Sequence, residues 1–218
     1  MSKLELQGVS FKYPHRKRFI FENVSETFES GKLTAVEGES GAGKSTLLAL
    51  LSGLSLPTKG RVLVDGEPIR DLTLYRRNVA ATVAQANHLF EGRTVLENVV
   101  YPMLLKGEDP AAAREKALGY LSEVRLDAEL ADHFPSECSG GEQKRVAFAR
   151  AMALHNPVLL ADEPTANLDR EASDVIADIL ESLAHKHGKL VIAVTHDPLL
   201  AGRADRRLIL RGGVLERV

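Results

Sequence analysis

The segment Gly38-Glu39-Ser40-Gly41-Ala42-Gly43-Lys44-Ser45 constrains the folding of this chain more tightly than any other stretch. It follows an apolar run, Leu33-Thr34-Ala35-Val36, that reads as a buried strand, and it opens an apolar helical pattern over residues 44–54. Its glycines let successive backbone N–H groups turn inward at the positive end of that helix, which makes a concave anion site. The spacing G-x-x-x-x-G-K-[ST], between a strand and a helix, is that of a triphosphate cradle. Lys44 would reach the β- and γ-phosphates, and the Ser45 hydroxyl would ligate Mg²⁺. A glycine-rich turn that merely precedes a helix is the alternative, and the combined strand, loop, Lys-Ser-Thr and helix outweigh it.

Such a unit predicts an α/β fold with a mainly parallel sheet. Residues 79–84, 158–161 and 190–194 are further strand candidates, apolar almost throughout, as suits a sheet covered on both faces. Gly60-Arg61-Val62-Leu63-Val64 and the stretch after Asp65-Gly66 read as a hairpin with a type I′ turn, and Gly212-Gly213 joins two short strands near the end. Between residues 86 and 155 helices dominate. Asp109-Pro110 is an N-cap with Pro at the first helical position, and Ala113, Ala117, Leu121 and Val124 recur on one face. We therefore expect one domain over residues 1–218. Residues 1–85 and 156–218 would form an α/β core with an antiparallel β subdomain, and residues 86–155 a helical subdomain.

Bulk properties exclude several classes. A formal net charge of -2 gives no global basic field, so no nucleic-acid partner is expected. The N-terminal Met1-Ser2-Lys3-Leu4-Glu5 lacks the apolar core of a signal peptide, and no apolar run approaches the roughly 20 residues that span a bilayer. The expectation is a cytoplasmic chain that reaches the membrane only through a partner. A single cysteine, Cys138, allows no internal disulfide and fits a reducing compartment.

Two further constellations carry chemistry. Leu159-Leu160-Ala161-Asp162-Glu163 is an apolar strand ending in two acids. Asp162 can hold the Mg²⁺ water shell, and Glu163 can polarise an attacking water as general base or positioner. Without the phosphate cradle, the pair would read as a cap on the turn into Pro164. Ser139-Gly140-Gly141-Glu142 is a capping box opening a helix through Arg145, Phe148 and Met152, and so a second helix start able to meet a phosphate.

Taken in order, these residues resemble the nucleotide-binding subunit of ABC transporters over essentially the whole chain. Cys138-Ser139-Gly140-Gly141-Glu142-Gln143 is similar to the family signature, usually written Leu-Ser-Gly-Gly-Gln. Gln85 sits where the Q-loop glutamine belongs, Ala166-Asn167-Leu168-Asp169 resembles the D-loop, and Thr195-His196-Asp197 matches the switch-histidine segment. Tyr13, in Phe11-Lys12-Tyr13-Pro14, is placed like the aromatic that stacks on adenine. The resemblance implies ATP and Mg²⁺ as cofactors, with Glu163, His196, Lys44 and Gln85 as catalytic groups. It implies nucleotide contacts from Tyr13, Gly38, Ser40, Gly41, Ala42, Gly43, Lys44, Ser45 and Thr46. Across an interface it adds Ser139, Gly140, Gly141, Glu142 and Asp169; Ser45, Gln85 and Asp162 would serve the metal.

Glu142 in place of glutamine, with Leu96-Glu97-Asn98-Val99, resembles the subgroup of lipoprotein-release, macrolide-export and cell-division ATPases. Cys138 replaces leucine, either as a small packing residue or as a thiol made acidic by the following helix start. The resemblance further implies a head-to-tail pair, with a second copy or a homologous ATPase subunit, and an integral membrane permease subunit as partner. The function it implies is ATP hydrolysis powering transport or mechanotransmission, of export type. Apolar residues in Asn87-His88-Leu89-Phe90 and in residues 95–103 would face that permease. A soluble ATPase of the same class acting on DNA or ribosomes is the alternative, disfavoured by the lack of heptads and metal-ligand spacing.

Overall fold

The computed structural model describes residues 3–218, so Met1 and Ser2 of the N-terminal stretch weighed above lie outside the described residues. The chain runs through β1 (Lys3–Phe11), β2 (Phe21–Glu29), β3 (Lys32–Glu37) and α1 (Lys44–Leu51). Next come β4 (Lys59–Val64), β5 (Glu67–Pro68), α2 (Leu72–Asn78) and β6 (Ala80–Val83). Three helices follow: α3 (Val95–Leu105), α4 (Pro110–Glu123) and α5 (Gly140–Ala153). The remainder is β7 (Val158–Asp162), α6 (Arg170–His185), β8 (Leu190–Val194), α7 (Pro198–Arg203), β9 (Arg206–Arg211) and β10 (Val214–Arg217).

The strands form two sheets. One, in the order β2-β1-β4-β5, is antiparallel throughout. The other, β10-β9-β3-β8-β7-β6, is parallel except for the terminal hairpin β9-β10. The six-stranded sheet separates two cores, and the strand period of two assigns its residues to them. Leu190, Ile192 and Val194 of β8 and Val158 and Leu160 of β7 join a core with α1 and the antiparallel sheet. Val191, Ala193, Leu159 and Ala161 face the opposite way, into a core built with α3 to α6. Both faces being covered explains why these strands read as unbroken apolar runs.

Local chemistry sets the element ends. Asp109 accepts from the N–H groups of Ala111 and Ala112 to start α4, whose Ala113, Ala117 and Leu121 are buried, as is the C-cap Val124. Asp65 and Gly66 both have positive φ, 51° and 86°, as a type I′ turn requires. Helix α1 ends at Leu51 rather than at residue 54. Gly53 turns left-handed at φ 70°, its N–H bonds Leu50 O and the Leu54 N–H bonds Ala49 O, a closure that stops the helix.

One expectation is overturned. The apolar residues between 95 and 103 do not face outward: Val95, Leu96, Val99 and Met103 are at most 1% exposed and pack against α4 and α5. An amphipathic helix in a three-helix cluster turns its apolar stripe to the core. What remains outside is Phe90, Leu104 and Leu105. Tyr101 sits beneath the Arg93 guanidinium at 4.6 Å. Among the described residues no helix is long and apolar enough to cross a membrane.

Candidate active site

Parallel pairing aligns the carboxyl ends of four neighbouring strands. Val36 of β3 and Asp162 of β7 both pair with Val194 of β8, and Val83 of β6 pairs with Ala161. The residues just beyond those ends are therefore gathered on one edge: Gly38, His196, Glu163 and Gln85. Crevices outside the carboxyl ends of such sheets are where ligands bind in open α/β folds.

The loop after β3 is shaped by close approach. A Cβ at Gly38 would stand 2.7 Å from Leu210 O, and one at Gly43, where φ is 104°, would stand 2.7 Å from Ile20 Cγ2. No side chain fits either position. Lys44 folds back over the loop, donating from Nζ to Gly38 O at 2.7 Å and Glu39 O at 3.1 Å. The Tyr13 hydroxyl lies 3.0 Å from Thr46 Oγ1, which places its ring beside the start of α1. A cleft of about 710 Å³ runs along Gly38 to Ala42 on the side facing β9 and β10. Lys44, Ser45, Glu163 and His196 do not line it, so the reactive groups lie on the other flank of the loop.

Glu163 is the hub of that flank. It takes φ 45°, which costs about 1 kcal/mol for a residue with a Cβ, and its N–H bonds Val194 O. Glu163 Oε2 accepts from the His196 N–H at 3.2 Å and lies 2.8 Å from His196 Nδ1. Glu163 Oε1 is 3.9 Å from Lys44 Nζ. The carboxylate is 13% exposed and the imidazole 71%, so Glu163 holds one ring nitrogen and leaves the other to solvent. The Ser45 side chain stands beside the Asp162 carboxylate. Burial raises the Asp162 pKa above the usual aspartate range and the Glu163 charge adds to that, while Ser45, Lys44 and Lys144 oppose it.

Ser139 caps α5 as the sequence predicts: its Oγ accepts from the Glu142 N–H at 3.3 Å, and Glu142 Oε2 accepts from the Ser139 N–H at 2.7 Å. Glycine at 141 lets α5 approach α6, since a Cβ there would lie 3.3 Å from Ala172 Cβ. Ser139, Gly140 and Gly141 line a cleft of about 340 Å³ with Asn167, Leu168 and Asp169. Asp169 caps α6 by accepting from the Ala172 N–H. No residue of the 38–45 loop lines this cleft, so one chain keeps its two helix starts apart.

The acidic-thiol reading of Cys138 is contradicted. Its side chain is buried, donates weakly to Phe134 O at 3.6 Å, and has its pKa pushed up by burial and by the nearby Glu142 and Glu137 carboxylates. The packing reading stands. Two cations escaped the sequence reading: Lys144 and Arg150, both on α5, hold the segment carrying Gln85 through its backbone carbonyls. Only the lysine's place on an otherwise apolar helix face hinted at this.

Comparison with known proteins agrees with this geometry. The ABC transporter family model matches residues 21–166. The uncharacterized ABC transporter ATP-binding protein YbbA of Escherichia coli K12 is 44% identical over 202 residues, 90% of this chain and 88% of that protein. The lipoprotein-releasing system ATP-binding protein LolD of Treponema denticola is 38% identical over 214 residues, 96% of this chain and 94% of its own length. Among solved structures, the ATP-binding cassette MJ0796, dimeric in a post-hydrolysis state bound to ADP and Pi, superposes with a TM-score of 0.89. It shares 35% identity, with 98% of this chain and 97% of that one covered. A match across two thirds of the chain, with relatives that align nearly end to end, settles the membership: this chain belongs to the ABC transporter family of ATP-binding proteins.

Proposed function

We propose that this chain binds ATP with Mg²⁺ at the carboxyl edge of the six-stranded sheet and hydrolyses it in a head-to-tail dimer. The observation that carries the reading is the convergence of Lys44, Glu163 and His196 within one chain, with the Ser139 cleft separate from them. Lys44 exchanges its carbonyl contacts for the β- and γ-phosphates, and loop N–H groups face the same oxygens. Glu163, bracketed by Lys44 and His196, orients the attacking water and accepts its proton. His196, held through Nδ1, offers its exposed nitrogen to the charge developing on the γ-phosphoryl group. The Tyr13 ring supplies an aromatic face for the base.

Ser45 and Asp162 fit the habit of Mg²⁺, which takes one or two protein oxygens and completes its shell with phosphate and water. The metal, when bound, neutralises phosphate charge. Gln85, past β6, would serve that same edge.

The second half of each site comes from the partner copy: Ser139, Gly140, Gly141 and Glu142 at the start of α5, with Asp169 beside them. A homologous ATPase subunit could replace the second copy. Residues 86–155 would move as a helical unit within a single domain, and their exposed Phe90, Leu104 and Leu105, with Tyr101 and Arg93, would meet a membrane permease. The likeness to a lipoprotein-releasing ATPase favours export or extraction as the work performed, at the cytoplasmic face of a membrane.

Glu163→Gln tests the reading. Turnover should fall at least a hundredfold while ATP converts the variant from monomer to a trapped dimer on size exclusion. A variant that stays monomeric in ATP, or that hydrolyses it normally, refutes the assignment.

A further inference from the structure

Gln85 lies beyond the end of β6, on a segment that no helix or strand holds. Its support comes from α5. Lys144 is only 3% exposed, and its Nζ donates to the carbonyls of Ala84 at 3.1 Å and Gln85 at 2.7 Å. Less than two turns further along the same helix, Arg150 donates from Nη1 to His88 O at 2.8 Å and from Nη2 to Asn87 O at 3.0 Å. Four carbonyls of one short segment thus rest on two cations of one helix, and that helix begins at Ser139.

A buried ammonium is costly unless its donors are used, and here they are used on the backbone of the segment that carries Gln85. A lysine needed only to fill space would be served by methionine, which has similar length and no desolvation cost. Arg150 holds the far end of the segment; Lys144 holds the residue on which the chemistry depends.

We propose that Lys144 is a positioning residue for the ATPase reaction. By gripping the Ala84 and Gln85 carbonyls it fixes Gln85 to α5, so that the Gln85 side chain is presented at the carboxyl edge only when the Ser139 end of that helix is in place. This rests on the proposed role of Gln85 at the nucleotide. It makes one helix responsible for two parts of the site, Ser139 directly and Gln85 through Lys144.

The test is a double-mutant cycle on the full chain. Lys144→Met should lower kcat about tenfold with KM for ATP within about twofold of the unmodified chain. In a Gln85→Ala background the same change should cost less than about twofold, because the group it positions is gone. Amide exchange at residues 85–88, measured without nucleotide, should speed up about tenfold in Lys144→Met. Effects that multiply in the cycle, an unchanged kcat, or unchanged exchange overturn the proposal. If Lys144→Met does not fold, Lys144→Gln carries the same cycle, since its amide stops one atom short of Nζ. Absence of turnover in the unmodified chain would defeat the proposed function instead, and the exchange result would still decide whether Lys144 holds the segment.

Discussion

The carboxyl edge of the six-stranded sheet and the start of α5 are the two regions we propose to meet the nucleotide, and they differ in how far they are finished. At the sheet edge the central charged groups have partners inside the chain: Lys44 on the Gly38 and Glu39 carbonyls and Glu163 on His196, with the Ser45 side chain beside Asp162. At α5 the capping box secures the helix, while Gly140 has open space where a Cβ would stand and faces a cleft shared with Asp169. On the proposed reading, an edge whose charged groups are satisfied within the chain exchanges those contacts for phosphate oxygens without unfolding. A capped helix start with an open face has nothing of its own to exchange and waits for something brought to it. The first region suits the reacting groups; the second suits a docking surface.

The comparison breaks most visibly at Lys44. Lys44→Ala removes a charge-assisted contact that only the sheet edge can supply, and ATP affinity should fall about a hundredfold in a nucleotide titration. Retained affinity would mean that the phosphates sit elsewhere. Ser139→Ala sharpens the contrast. In the Glu163→Gln background it should weaken ATP-driven dimerisation about tenfold, yet leave ATP affinity of the monomer within about twofold. Loss of the cap should also cost about 1 kcal/mol of stability. If monomer affinity falls with dimerisation, the two regions act on one nucleotide within one chain.

Next door, Cys138 should react at least about tenfold more slowly with a thiol-blocking reagent at neutral pH than a free cysteine does, with turnover unaffected. Rapid labelling would contradict its burial. The smallest effect concerns Glu142, whose carboxyl is held below the ordinary range chiefly by the Ser139 N–H. A depressed folded-state pKa means that its stabilisation is present above the unfolded value, about 4.3, and disappears as pH falls through the lower folded value. Glu142→Gln should therefore cost about 0.5 kcal/mol at pH 7, and thermal unfolding should show that gap closing as the pH is taken below the ordinary glutamate range. A gap that persists in acid would assign the effect to shape rather than charge.

Much of the fold was legible along the chain because its signals are local. The strands at 158–161 and 190–194, the cap at Asp109, the turn at Asp65-Gly66 and the box at Ser139 each depend on neighbours within a few residues. The extent of α1 was misjudged because apolar residues continue past Leu51 while Gly53 ends the helix. The outward face of α3 was misread for a different reason. Its sequence shows an apolar stripe, but whether such a stripe meets solvent, a partner or α4 and α5 is settled by packing.

By itself the sequence determined the backbone devices: a loop whose glycines alone permit its path, two acids at a strand tip, and helix starts with their caps. These follow from φ preferences and short-range hydrogen bonds. Tertiary structure decided what those devices meet. The pairing of β7 with β8 brings Glu163 to His196, 33 residues away. The packing of α5 carries Lys144 to the Gln85 carbonyl, 59 residues away, and buries the Cys138 thiol. Contacts between elements distant in sequence depend on how two cores close around one sheet, and no local period records that.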